Sequence, residues 1–192
     1  MPHKGISKKV FGTGPWLPKH FTELAQKFMP NGSEIHYIMQ ASKEMDENVH
    51  MISNALEQIG IPGAYKAFHM LRPHAYKADF WRLMNLWYNG GIYMDAKLGF
   101  DMPVENWIDF KNDEFIYCPD TLVTVNNAMI AMTQYHPLGA LAAKMIIERV
   151  ENRTYFDDVW KLTGPGVYRD VSNGTGMLTQ YNARCWTKNF FS

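Results

Sequence analysis

Apolar positions along the chain switch between strand-like alternation and helical spacing, and the switches fall at glycine- and proline-rich breaks. Val10 and Phe11 close a short strand that begins around Ile6, followed by the turn-rich Gly12-Thr13-Gly14-Pro15-Trp16. Pro18 to Phe28 reads as a helix with Phe21, Leu24, Ala25 and Phe28 on one face, ended by Pro30-Asn31-Gly32. Glu34 to Met39 alternates as a strand does. Ser42 can cap a helix running to about Ile59, with Met45, Val49, Ile52 and Leu56 at helical spacing and Gly60, Pro62 and Gly63 as breakers. The best-defined helix runs from about His74 to Tyr88, opened by Pro73 and stopped by Gly90-Gly91. Ile92-Tyr93-Met94 then reads as a short buried strand, and Phe115–Tyr117 and Ala128–Met132 as two more. Leu138 to Val150 is an amphipathic helix, and Thr163-Gly164-Pro165-Gly166 a turn. After Gly174 no clear period remains.

Strands alternating with helices predict an α/β fold, with a mostly parallel central sheet flanked by helices. Ligands in such sheets sit at the carboxyl ends of strands, and Asp95 is at that kind of position. The 192 residues suit one domain, residues 1–192, and a 46% hydrophobic composition supports a packed core. Nineteen basic residues balance nineteen acidic ones, so net charge gives no case for nucleic acid or an anionic membrane surface. No apolar run is long enough to span a bilayer, and the first residues lack the apolar stretch of a signal peptide. The expected location is the cytoplasm, or the host cytosol for a viral protein, and the Golgi lumen if an anchor precedes the chain. Cys118 and Cys185 are far apart, lack metal-ligand spacing and are expected to be reduced thiols. The seven histidines show no metal-binding spacing either, and Asp157-Asp158 reads as a solvated loop.

Two features between Lys77 and Lys97 carry candidate chemistry. Asp79 and Arg82 are spaced i, i+3 and share a helix face, beside Ala78 and Trp81. Such a pair lies at the surface, pairs internally, or faces a polar ligand. Asp95-Ala96-Lys97 follows the hydrophobic strand, and residues two apart on an extended segment point the same way. A carboxylate there can hold a divalent metal or a ribose hydroxyl, and a lysine can neutralise a diphosphate. A loop salt bridge is the competing reading.

The run Ala75-Tyr76-Lys77-Ala78-Asp79-Phe80-Trp81-Arg82, then Leu86-Trp87-Tyr88-Asn89-Gly90-Gly91-Ile92-Tyr93-Met94-Asp95, resembles the sugar-binding-region glycosyltransferases with an Asp-x-Asp motif. Golgi mannosyltransferases and capsular-polysaccharide transferases belong to that group, and large clostridial glucosylating toxins are distantly similar. Ile6 to Trp16 resembles the family's opening strand, Asn126-Asn127-Ala128 with His136-Pro137 a later segment, and Thr163-Gly164-Pro165 its Thr-Gly-Pro turn. The resemblance covers about residues 5 to 170.

The resemblance implies a GT-A type, Rossmann-like fold. It also implies transfer of a hexose from a UDP- or GDP-sugar to a glycan or glycoconjugate acceptor, with retention, as in polysaccharide biosynthesis. By it Asp79 and Arg82 bind donor-sugar hydroxyls, Tyr93 and Asp95 lie beside the ribose and phosphates, Asn127 belongs to the donor site, and Trp16 or Phe11 stacks on the base. Asp95 is the implied ligand of Mn²⁺ or Mg²⁺, and Asp95 with Lys97 the implied catalytic pair. Lys97 departs from the pattern, because the second motif aspartate is the usual direct metal ligand. An Asp-x-Lys form occurs in a viral and microbial branch of similar proteins. Either Lys97 replaces the metal's charge at the diphosphate, or Asp95 holds the metal with other ligands. A catalytically degenerate domain that binds a nucleotide sugar or glycan is the alternative.

Overall fold

A computed structural model describes residues 5–15, 21–96, 98, 102–119, 125–154, 159–175 and 183–185. In chain order the elements are β1 (Lys9–Gly14), α1 (Phe21–Phe28), β2 (Glu34–Met39), α2 (Lys43–Gln58), α3 (Ala64–Met70), α4 (His74–Asn89) and β3 (Gly91–Met94). A 3-10 turn (Val104–Asn106) precedes β4 (Phe115–Pro119), β5 (Val125–Met132), α5 (Pro137–Glu151), α6 (Val159–Leu162), α7 (Pro165–Thr175) and β6 (Ala183–Cys185).

The strands form one sheet in the order β2-β1-β3-β5-β4-β6. Pairings β1/β2, β1/β3 and β4/β6 are parallel, while β5 runs antiparallel to both β3 and β4. The carboxyl ends of β1, β2 and β3 therefore share one edge, and the amino end of β5 arrives beside them. That reversal brings Asn127 next to Asp95, whose backbone N–H donates to the Ala128 carbonyl at 2.8 Å.

The sheet separates two apolar clusters. One packs α2, α3, α4, α5 and α7 over Phe11, Tyr93, Phe115 and Ile130; the other packs α1 and the 3-10 turn over Val10, Ile92, Ile116 and Met129. Helix α4 is buried along most of its length, from Ala78 and Phe80 to Trp87, which explains its weak amphipathic contrast. Ser42 caps α2 by accepting from the Met45 N–H at 3.1 Å. Gly90 ends α4, with its N–H on the Leu86 carbonyl.

Strand β1 begins at Lys9 and continues through Gly12-Thr13-Gly14, the stretch expected to turn. All six of its residues pair with β2, and Thr13 Oγ1 donates to the Ile38 carbonyl at 2.7 Å. Gly12 serves close packing instead, since a Cβ there would meet the Phe21 ring at 2.5 Å. The turn expected at 163–166 is shorter: Pro165 and Gly166 already open α7, where a proline is tolerated in the first turn. No helix among the described residues is long and apolar enough to cross a membrane.

Candidate functional site

The i, i+3 spacing places Asp79 and Arg82 on one face of α4, with Arg82 Nη2 3.0 Å from Asp79 Oδ1. Unlike an ordinary surface ion pair, this one is removed from water, the side chains being 11% and 8% exposed. Arg82 also reaches across to β3 and β5. Its Nη1 donates to the Asn127 carbonyl and lies 3.3 Å from Asp95 Oδ1, and its guanidinium stacks 4.4 Å from the centre of the Tyr93 ring.

Tyr93 and Asp95 stand two apart on an extended segment, so both side chains point to the same face. The Tyr93 hydroxyl donates to Asp95 Oδ1 at 2.7 Å. Asp79 is held from two further elements: Asn127 Nδ2 donates to its Oδ1 at 3.0 Å, and Thr163 Oγ1 to its Oδ2 at 3.3 Å. Side chains from α4, β3, β5 and the turn before α7 thus converge at the carboxyl edge of β3.

The electrostatics follow from burial. Burial raises the Asp79 carboxyl above its ordinary value, while Arg82, Thr163 and Asn127 oppose the rise. Burial alone would favour a neutral Arg82, but the Asp79 and Asp95 carboxylates, with the face of the Tyr93 ring, outweigh that and hold it firmly protonated. Burial, and the nearby Asp95, keep the Tyr93 hydroxyl protonated far above the ordinary phenol range. Tyr93 is therefore a donor at neutral pH. Asp95 is the outward member of the group, with its side chain 38% exposed.

Of the residues singled out from sequence, Asp79, Arg82, Tyr93, Asp95 and Asn127 come together here. Trp16 and Lys97 lie outside the described residues, as does the Asp157-Asp158 pair. Phe11 is 4% exposed and stacks on His36 with ring centres 5.1 Å apart, so it is a core residue without a face for a base. Two participants carried no role in the sequence reading. Thr163 reads from sequence only as part of a turn, and its hydroxyl donates to Asp79. Tyr168 on α7 is 1% exposed, interacts electrostatically with Arg82 and Asp79, and its hydroxyl has no hydrogen-bond partner among the described residues. Arg82 Nε is likewise buried and unpartnered among them. Nothing in the local sequence of Tyr168 signals this position.

The donor set gives a test for a divalent cation. Among the described residues no three ligating side chains gather. Asp79 shares its Oδ1 between Arg82 and Asn127 and its Oδ2 with Thr163, and its charge is balanced by Arg82. Asp95 Oδ1 already accepts from Tyr93 and faces a guanidinium. One carboxylate whose charge is compensated does not match the six or more oxygens that Mg²⁺ or Ca²⁺ collects. The described residues thus do not fit such an ion.

The sequence of residues 18–116 matches the family model described as "Glycosyltransferase sugar-binding region containing DXD motif". A comparison with curated protein sequences gives no match. Among solved structures the chain is similar to one titled "PaToxG Glycosyltransferase", with TM-score 0.61 and 18% identity over 93% of this chain and 73% of that one. It is also similar to the UDP-bound glycosyltransferase domain of the YGT toxin, with TM-score 0.48 and 13% identity over 86% of this chain and 55% of that one. The ligand-free form of that domain gives 0.48 and 14%, over 86% and 54%. The likeness to PaToxG carries the fold, which is of the GT-A kind. The family match spans more than half the chain and includes α4, β3 and the acidic segment that follows them. This chain belongs to the glycosyltransferase family defined by a sugar-binding region with a DXD motif.

Proposed function

We propose that the protein transfers a hexose from a UDP- or GDP-linked donor to a hydroxyl of a glycan or glycoconjugate, with retention of anomeric configuration. The observation that supports this most is the convergence of Asp79, Arg82 and Asp95 on the carboxyl edge of β3. On this reading Asp79 accepts from donor-sugar hydroxyls and Arg82 donates to them, a pairing that suits vicinal hydroxyls. The Arg82 Nε and the Tyr168 hydroxyl, without partners among the described residues, leave hydrogen-bonding capacity beside that pair. Asn127 holds Asp79 in place, and Tyr93 orients Asp95 toward the ribose and phosphates. Trp16 stacks on the base.

In the reaction an acceptor hydroxyl oxygen bonds to the anomeric carbon as its bond to the diphosphate breaks. The electron pair leaves on the nucleoside diphosphate, and the hydroxyl proton passes to it. The chain's part is to hold donor and acceptor in register and to compensate the leaving charge. Lys97 supplies that compensation where a second aspartate would bind metal, and Arg82 contributes to it.

Hydrolysis of UDP- and GDP-hexoses, measured with Mn²⁺ and with a chelator, tests this reading. We expect turnover that survives the chelator and falls at least about tenfold in Lys97→Ala, the loss of one charge-assisted contact. A strict Mn²⁺ requirement would instead make Asp95 a metal ligand. Donor binding without any turnover would favour the degenerate binding domain.

A further inference from the structure

A cavity lies beside the donor-site residues. It measures about 510 Å³, within the range of small-molecule sites. It lies between the α3–α4 junction, the carboxyl end of α5 and α6. Three arginines line it, Arg72, Arg149 and Arg153, and no carboxylate does among the described residues. Arg149 is anchored, donating to the Lys161 carbonyl and, at 2.6 Å, to Asp170 Oδ2. Neither the Arg72 nor the Arg153 guanidinium makes a hydrogen bond or ion pair with another described residue, the Arg153 backbone N–H alone donating to the Val150 carbonyl. His69, on the rim, is paired with Asp46 at 2.9 Å.

Part of this charge has a local reason. Arg149 sits in the last turn of α5 and Arg153 just beyond its cap, where cations complement the helix dipole. Arg72 stands in the same place, just beyond the Leu71 cap of the short helix α3, so the dipoles account for single cations but not for three of them lining one cavity. Guanidinium groups sharing one cavity repel each other unless an anion joins them, and they match phosphate oxygens in geometry.

The cavity shares walls with the donor site. Tyr76 lines it and sits one helical turn before Asp79, on the same face of α4. Leu162 lines it, and the next residue, Thr163, donates to Asp79. A molecule held by the arginines would therefore lie alongside the sugar held by Asp79 and Arg82. We infer that this cavity is the acceptor subsite and that the acceptor is a phosphorylated sugar, its phosphate held by Arg72 and Arg153 beside Arg149. The inference deepens the transferase reading and rests on it.

Equilibrium binding of hexose 6-phosphates, of the unphosphorylated hexoses and of inorganic phosphate, at physiological ionic strength, tests it. The wild-type chain should bind a hexose 6-phosphate more tightly than inorganic phosphate, and the unphosphorylated sugar weakly or not at all. The double variant Arg72→Ser/Arg153→Ser should bind that phosphate sugar at least about tenfold more weakly. Its unfolding midpoint should stay close to wild type, since both residues are exposed. Equal binding in the wild type and the double variant overturns the inference, as does hexose 6-phosphate binding no tighter than inorganic phosphate. Failure here with nucleotide-sugar hydrolysis intact removes the acceptor subsite alone. Phosphate-sugar binding without hydrolysis of any nucleotide sugar removes the transferase reading instead.

Discussion

Arg82 carries its charge where water contributes little, so Asp79, Asp95, Asn127 and Tyr93 do the solvating. Removing it strands the Asp79 carboxylate in the interior. We expect Arg82→Ala to cost about 3–5 kcal/mol, the range for breaking a buried pair from one side, read from denaturant unfolding. Tyr168 gives the opposite kind of test. Its hydroxyl is buried without a partner among the described residues, so Tyr168→Phe should leave stability unchanged or raise it. A loss above about 1 kcal/mol would mean that the hydroxyl has a bonded partner, water included. At this scale the sequence showed which residues share a helix face, because i, i+3 spacing is local. It did not show that the face is buried. That depends on β5 and the segment from α6 into α7 closing on it from far along the chain, with Asn127, Thr163 and Tyr168 beside the pair.

Helix α5 has an unusual start. His136 is its N-cap, and its Nδ1 accepts from the Leu138 N–H at 3.2 Å, which requires an unprotonated Nδ1. Burial pushes this histidine down to about 4 from an ordinary value of 6.5. As pH falls, the unfolded chain takes up the proton first. The stability contributed by neutral His136 is thus complete above about 6.5 and is lost progressively as pH falls through about 4. Thermal unfolding between those values should show this decline, and His136→Asn, which keeps a cap acceptor without titrating, should flatten it. Gly91 is another fixed point. Its φ of +106° disfavours a side chain, and a Cβ would meet the Lys9 carbonyl oxygen at 2.7 Å. Gly91→Ala should cost about 1–3 kcal/mol in strain or more, seen as a lowered unfolding midpoint. Helices α2 and α4 are legible because caps and breakers bracket them, and α5 because of its amphipathic spacing. Strand β2 was legible from its alternation. Helix α3 was not, since Ala64–Met70 is too short to show a period and follows directly on Gly60, Pro62 and Gly63. Strand β6 offers only three residues of pattern.

Across the whole molecule, the α/β alternation and the strand-end position of Asp95 could be read in advance. The reversal of β5 could not, because strand direction depends on how the ends of the sheet are connected. Yet that reversal places Asn127 between Asp79, Arg82 and Asp95. The site is therefore a property of the sheet order as much as of the α4–β3 segment. On the proposed reading Asp79 and Arg82 bind the donor's sugar, and not its nucleotide. This reading is tested most directly by comparing the affinities of the wild type and Asp79→Asn for a nucleoside diphosphate sugar and for the bare nucleoside diphosphate. The expected result is a loss of about tenfold or more for the nucleotide sugar, with affinity for the bare nucleotide retained. Unchanged affinity for the nucleotide sugar, or an equal loss for both ligands, would contradict it.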